Sequence, residues 1–446
     1  MAKRIVILGG AESGVGAALL AKKEGYDVFV TDASSLRPDY RNELIEADIP
    51  FEEGGHNEER ILAAGEIVKS PGIPEKSAVM QLLRKKGVPV ISEIELAWRH
   101  RGASRVIAVT GSNGKTTTTV LAHHICRTGG LDCALTGNIG DSFARQVAMD
   151  PRPVYIAEIS SFQLDDIQAF RPEIAILTNI TEDHLDRYDN DFEKYISSKF
   201  RIVMNQQPND YFIYCEDDPV TMKNLDRFNI QSNQLPITMK REINPGAFIK
   251  DGDMYVRTGE DFTRMSVFDF ALKGKHNQYN TMAACVAATL MDIRKDKIRE
   301  AVKTFQALEH RMEPVATIRG VEFINDSKAT NVNSTWYALE SMTKPTILIL
   351  GGIDKGNNYS LIMDLVKEKV KAIVCMGKDN RKIHEAFGNV VNTIVNTESA
   401  QEAVRAAFHF AGKGDVVLLS PACASFDLFR NYEDRGDQFK KAVKEL

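Results

Sequence analysis

Residues 105–120 read RVIAVTGSNGKTTTTV. The run RVIAV predicts a strand, and it feeds a Gly-rich turn that ends in Gly114-Lys115-Thr116 and opens a helical pattern. Backbone N–H groups in such a turn, with a helix N-terminus behind them, point at anionic oxygens. This layout assigns phosphate binding to Gly111, Ser112, Asn113, Gly114, Lys115, Thr116 and Thr117. Lys115 would reach the terminal phosphates and the Thr116 hydroxyl would sit on Mg²⁺. The strict pattern asks for Gly where Val109 stands, so the match is to the loop's second half. ATP is the expected nucleotide.

The residues before this strand predict a second nucleotide half-site. KRIVILGGAESGVGAALLAKKEGYDVFVTD (3–32) has the strand, Gly turn, helix, strand layout of a Rossmann-type unit. Ala11 stands where that motif has its second Gly, and its methyl hinders a pyrophosphate's approach. A standard dinucleotide site is thereby weakened, which counts against a nicotinamide oxidoreductase. Asp32, ending the second strand, is placed to accept from a ribose or base; plain helix capping is the alternative. Ser70-Pro71-Gly72 follows another strand and is expected to line the same crevice.

Downstream of the phosphate turn, YIAEISSFQLD puts Glu158 at a strand end, within reach of a metal held by Thr116. AILTNITEDHLDRY ends a further strand before His184, a metal ligand or a surface hydrogen-bonder. By itself Lys199 reads as a solvated lysine on a helix. Asn277 and Asn280 share one face at a helix start, to bind nucleotide or to cap. In the last third, VEFINDSKATN ends a strand at Asp326-Ser327-Lys328, a turn able to hold phosphate and ribose together. LGGIDKG and LLSPACASFDLFRNYEDRGDQF close strands in small-residue loops, where capping of the final helix by Ser425 and Asp427 is the plain reading.

Alternating strand and helix patterns predict an α/β protein of three domains. These are a Rossmann-like N-terminal domain (1–93), a P-loop ATP-binding central domain (94–307) and a Rossmann-like C-terminal domain (308–446). With 446 residues, 56 basic and 61 acidic side chains and a net charge of −5, nothing points to nucleic acid. The longest apolar runs are strand-sized, so no membrane insertion is expected. The chain enters a strand at once, without a secretory leader, and its six scattered cysteines fit reduced thiols in the cytoplasm.

Taken in order, TGSNGKTTT, TGNIG, AEISSFQL, TNITEDHLDRY, KGKHNQYN, HRME, NDSKATN, LGGIDKG and SPACASFDLF resemble the Mur ligases, ATP-dependent amide-forming enzymes of peptidoglycan synthesis. KSPGIP, SPACASFD and the overall length most resemble the branch that adds D-glutamate to UDP-N-acetylmuramoyl-L-alanine. The resemblance implies a UDP-binding first domain with Ser13, Gly14, Asp32 and Ser70 at the uridine end, and Asn138, Ser160 and His184 along the sugar–peptide part. It implies ATP held by the phosphate loop with Asn277, Asn280, Arg311, Asp326 and Lys328, and D-glutamate surrounded by Thr330, Lys355, Ser425, Phe426 and Tyr432. Mg²⁺ would be served by Thr116, Glu158, His184 and a carbamoylated Lys199, and Lys115, His184 and Lys199 would be catalytic. The protein is expected to act as a monomer. A P-loop switch or motor would leave the Asp326 and Ser425 loops without a role.

Overall fold

The computed structural model describes residues 3–259, 261–306 and 309–446, and three sheets carry the chain. The expected boundary between 307 and 308 lies outside the described residues.

The first sheet has five parallel strands in the order Phe51–Glu53, Asp27–Asp32, Arg4–Leu8, Glu66–Lys69, Val90–Ser92. The central strand, RIVIL, is buried along nearly its whole length, as a parallel strand covered on both faces must be. Order reverses beside Arg4–Leu8, so the Gly9-Gly10 turn emerges between Asp32 and Ser70. Crevices at such reversals are where open α/β sheets bind ligands.

The second sheet has nine strands, with Arg105–Thr110 between Ile174–Leu177 and Val154–Glu158. Val109 pairs with Glu158 and Thr110 with Leu177, which fixes the phosphate turn between those two strand ends. One edge departs from the parallel pattern. Gly246–Lys250, Asp253–Thr258 and Asp261–Ser266 form an antiparallel meander, with Phe248 stacked on Tyr255 at 4.9 Å.

The third sheet runs Glu313–Ile318, Val321–Asn325, Val416–Leu419, Thr346–Leu350, Val370–Met376, Ile394–Thr397, parallel except at its first pair. Val416–Leu419 lies between Val321–Asn325 and Thr346–Leu350, so Asp326, Ser420 and Gly351 leave neighbouring strand ends.

The chain packs as two compact units. One spans residues 1–270 and 277–305 and holds the first two sheets; the other spans 271–276 and 306–446. Within the first unit, ion pairs cross between the two sheets' elements. Arg145 Nε meets Glu12 at 2.8 Å, Lys69 meets Asp166 at 2.6 Å, and Arg84 meets Asp166 at 2.5 Å. The six cysteines are buried and free, and no described helix is long and apolar enough to cross a membrane.

Candidate active site

Three sheet ends hold the candidate residues. In the first, Asp32 does not simply face outward. Its Oδ2 accepts from Gly10 N–H at 2.8 Å and its Oδ1 from Ser34 N–H at 2.8 Å, so it shapes the Gly turn itself. It caps no helix. Ser70 Oγ donates to Gly9 O at 3.3 Å across the strand reversal. Gly14 has a steric reason: a Cβ there would stand 1.7 Å from the Gly9 carbonyl oxygen. Gly14→Ala is therefore expected to push helix Glu12–Lys23 off the turn, costing roughly 1–3 kcal/mol. A thermal melt unchanged from wild type would contradict that close approach.

The phosphate turn is braced from the side. Gly111 sits at φ 143°, and a Cβ on it would meet Thr178 Oγ1 at 2.0 Å. Asn113 N–H donates to Asn179 Oδ1 at 3.0 Å, and Thr178 Oγ1 donates to Asn113 O at 2.6 Å. Ser112 Oγ donates to Thr181 O at 2.9 Å and is hydrogen-bonded to the Tyr195 hydroxyl at 3.1 Å. Gly114, at φ 81°, precedes helix Lys115–Thr128. Asn280 lies over it, accepting from Thr118 Oγ1 at 3.2 Å and donating to Asn277 Oδ1 at 3.2 Å. Asn280 thus lies against the phosphate turn, with Asn277 behind it. Thr116 and Thr117 are buried in the first turn of that helix.

Two lysines meet at one oxygen. Lys115 Nζ donates to Gly111 O at 2.8 Å and to Ser112 O at 2.9 Å. Lys199 Nζ donates to the same Gly111 O at 2.8 Å. The solvated helix lysine read from the sequence is in fact 2% exposed. Its helix, Phe192–Phe200, turns it inward beside Tyr195. Burial, with the charge of Lys115 alongside, holds the Lys199 amine well below its ordinary range, only partly offset by Asp183, Glu158 and Asp165.

Glu158 is 3% exposed. Its Oε1 accepts from Asn138 Nδ2 at 3.0 Å, while Oε2 is buried with no hydrogen-bond partner. A buried carboxylate oxygen left unpaired is costly, and a cation satisfies it. Glu158 Oε2 therefore fits a cation such as Mg²⁺, whereas the Lys199 amine, donating to Gly111 O, offers such an ion no anionic ligand unless it is modified. Asn138 reaches Glu158 through the TGNIG turn. Ser160 is the N-cap of a short helix, in a capping box with Gln163. The His184 side chain is 43% exposed, at φ 53°, 3.7 Å from Asp183 and edge-on to Phe162 at 5.4 Å. Among the described residues no three His, Cys, Asp or Glu side chains form a ready-made metal cluster.

The second unit gathers the remaining candidates. Asp326 accepts from Ser420 Oγ at 2.9 Å and from Met312 N–H at 3.2 Å; burial pushes its carboxyl up to about 7, against the pull of Arg311. Lys328 Nζ lies 4.8 Å from the Tyr432 ring centre, and Thr330 N–H donates to Lys328 O at 2.9 Å. Ser425 is buried, whereas Lys355 and Phe426 are exposed. Capping of the last helix, Tyr432–Lys444, belongs to Asn431, which accepts from Asp434 N–H, and not to Ser425 or Asp427. Asp427 instead accepts from Lys378 N–H at 3.1 Å. The sequence also hides Arg435. It is fully buried and donates to Ser327 Oγ, Ser327 O and Cys423 O, tying the Asp326 turn to the SPACAS loop.

A P-loop between two strand ends of an α/β sheet, with a buried unpaired carboxylate beside it, defines a nucleotide-dependent enzyme of phosphoryl chemistry. The chain belongs to the Mur ligase family: residues 3–92 match the MurD-like N-terminal domain, 109–288 the Mur ligase middle domain and 310–423 the Mur ligase glutamate ligase domain. It is 52% identical over 447 residues to a UDP-N-acetylmuramoylalanine–D-glutamate ligase of Christiangramia forsetii, covering 100% of both chains. It is 51% identical over 445 residues to the enzyme of that name from Bacteroides fragilis, again covering 100% of both. A UDP-N-acetylmuramate–alanine ligase structure from Thermotoga maritima shares the fold, with a TM-score of 0.63 at 16% identity over 99% of each chain.

Proposed function

We propose that this chain joins D-glutamate to UDP-N-acetylmuramoyl-L-alanine at the expense of ATP. The full-length identity to ligases of that name carries the reading. The gathering of Lys115, Glu158 and Lys199 at one phosphate turn supports it. Residues 1–93 take the UDP end, 94–307 the ATP and 308–446 the D-glutamate, with the site residues in the roles given above. The enzyme acts as a monomer in the cytoplasm, where ATP and UDP-linked precursors are at hand.

The chemistry follows from what a carboxylate lacks. It is a poor electrophile, so its oxygen first attacks the γ-phosphorus of ATP, ADP leaves, and an acyl phosphate forms. The amine of D-glutamate then adds to that carbonyl, phosphate leaves through a tetrahedral intermediate, and a proton is lost from nitrogen. Lys115 and the backbone N–H groups at the N-terminus of helix Lys115–Thr128 neutralise the transferring phosphoryl group. Asn280 holds the turn's shape from above. Thr116, Glu158, His184 and a modified Lys199 would hold Mg²⁺, which would supply charge neutralisation at the phosphates. Lys199, whose burial favours the neutral amine, would add CO₂ as a carbamate, losing one proton and becoming an anion.

Phosphate release with each amino acid in turn tests the reading. D-glutamate alone should drive turnover with UDP-N-acetylmuramoyl-L-alanine. Turnover with UDP-N-acetylmuramate and L-alanine instead would overturn it. Glu158→Gln is expected to raise the Mg²⁺ needed for half-maximal rate on the order of 10-fold or more, because the unpaired oxygen loses its charge. An unchanged Mg²⁺ titration would remove Glu158 from the ligand set. Analytical ultracentrifugation should give a single species of monomer mass.

A further inference from the structure

One cation near this site has no part in the chemistry above. Arg187 lies in the 3₁₀ turn Leu185–Tyr188, three residues after His184. Its Nη2 donates to Pro71 O at 3.1 Å and to Ile73 O at 3.2 Å, and its Nη1 to Gly72 O at 3.5 Å. Those carbonyls belong to the turn that leaves the first sheet beside Ser70. The guanidinium also lies over the Phe162 ring at 4.3 Å. The same ring meets the His184 imidazole edge-on at 5.4 Å and stacks on Tyr188 at 5.8 Å. Lys76 adds a second tie, pairing with Asp189 at 3.1 Å and donating to Asp186 O at 3.3 Å. His184 and Asp189, at the two ends of the turn, have φ of 53° and 57°. Positive φ is uncommon outside glycine, although His and Asp adopt it more readily than most residues.

We infer that Arg187 is a positioning residue: it clasps the 71–73 turn and, through Phe162, sets His184, so that filling the crevice of the first sheet is coupled to assembly of the metal and phosphate site. The inference rests on the function proposed above. Three convergent carbonyls repel one another unless a donor lies among them. A planar guanidinium can serve all three and stack on a ring at once; an ammonium cannot. The joint between the two sheets has other braces in Arg145–Glu12, Lys69–Asp166 and Arg84–Asp166, so the chain does not depend on Arg187 to fold.

Coupling of this kind is reciprocal, which gives a measurement apart from turnover. Calorimetry would follow UDP-N-acetylmuramoyl-L-alanine binding to the full chain, with and without Mg²⁺ and a non-hydrolysable ATP analogue. Wild type should bind the UDP substrate at least about 5-fold more tightly when the second site is filled. In Arg187→Ala that ratio should fall to near one, with a thermal midpoint close to wild type. Its kcat should drop on the order of 10-fold or more while KM for ATP stays put, as expected when a remote change misplaces a group at the chemistry. Arg187→Lys should recover only part of the loss. Phe162→Leu should show the same defect, and the double variant should be no worse than either single one. Wild-type coupling in Arg187→Ala, full recovery in Arg187→Lys, or no coupling in wild type would overturn the inference while leaving the ligase reading intact. A wild-type protein with no D-glutamate-dependent turnover would overturn both.

Discussion

Lys115→Ala should lose ligation on the order of 10²-fold or more in kcat, with a melting curve close to wild type. The geometry separates the two effects. Lys115 Nζ donates to backbone carbonyls of its own turn, Gly111 O and Ser112 O, and the turn is braced independently by Asn179, Thr178 and Thr181. Removing the amine leaves those braces in place. What disappears is the positive charge available to the transferring phosphoryl group, where stabilisation counts most because the charge develops in the transition state. The loss should persist at saturating ATP and saturating Mg²⁺. A second consequence has a definite sign. Lys115 is the neighbouring charge that helps depress the Lys199 amine, so its removal lets Lys199 take up a proton at higher pH. Any acid limb of the residual rate should therefore move upward in pH. Near-normal turnover at saturating ATP would sink the assignment of Lys115.

The sequence made some of this legible and hid the rest for physical reasons. Runs such as RIVIL and TILIL announce parallel strands because both faces of such a strand are buried, and the sheets are where those runs predict. The phosphate turn is legible because its glycines and lysine are contiguous: Gly111 and Gly114 both have positive φ, as the motif requires. Lys199 is different. Its helix pattern mixes polar and apolar residues, and only the three-dimensional approach of Phe192–Phe200 to the phosphate turn decides that Lys199 points inward. Arg187 and Arg435 were invisible for the same reason. Apart from the Ser327 hydroxyl, their hydrogen-bond acceptors are backbone carbonyls, and a carbonyl carries no sequence signature. Asp32 shows the opposite error: its position at a strand end was legible, but its engagement with Gly10 and Ser34 was not. The antiparallel meander at 246–266 went unread because DMYVRT alternates weakly and buries only Met254 and Val256.

Replacement of Lys199 separates a structural lysine from a chemical one. Lys199→Ala is expected to be nearly inactive, losing on the order of 10²-fold or more in kcat, and formate or acetate in solution should restore part of the rate by filling the gap with a carboxylate. The physical basis is that the amine is buried between Gly111 O and the Tyr195 ring, and is held well below its ordinary range. A neutral amine can add CO₂; a cation cannot. Lys199→Arg keeps the hydrogen-bond capacity but places a permanent cation that cannot add CO₂, and should be as inactive as the alanine variant, with no rescue. Stability supplies the control. The folded pKa of this lysine lies below the unfolded one, so between the two values unfolding takes up a proton. Wild-type stability therefore rises with pH through that window, from the depressed value up to the ordinary lysine range near 10.4. Lys199→Met keeps the apolar stem, removes the titrating group and should lose that slope. At neutral pH it should melt no lower than unmodified wild type, because no buried amine has to be kept from its proton. An inactive variant that is as stable as wild type places Lys199 in the chemistry. Intact-protein mass spectrometry in bicarbonate buffer should find one CO₂ added to wild type and none to Lys199→Met. An active Lys199→Met, or the same added mass on that variant, would defeat the carbamate.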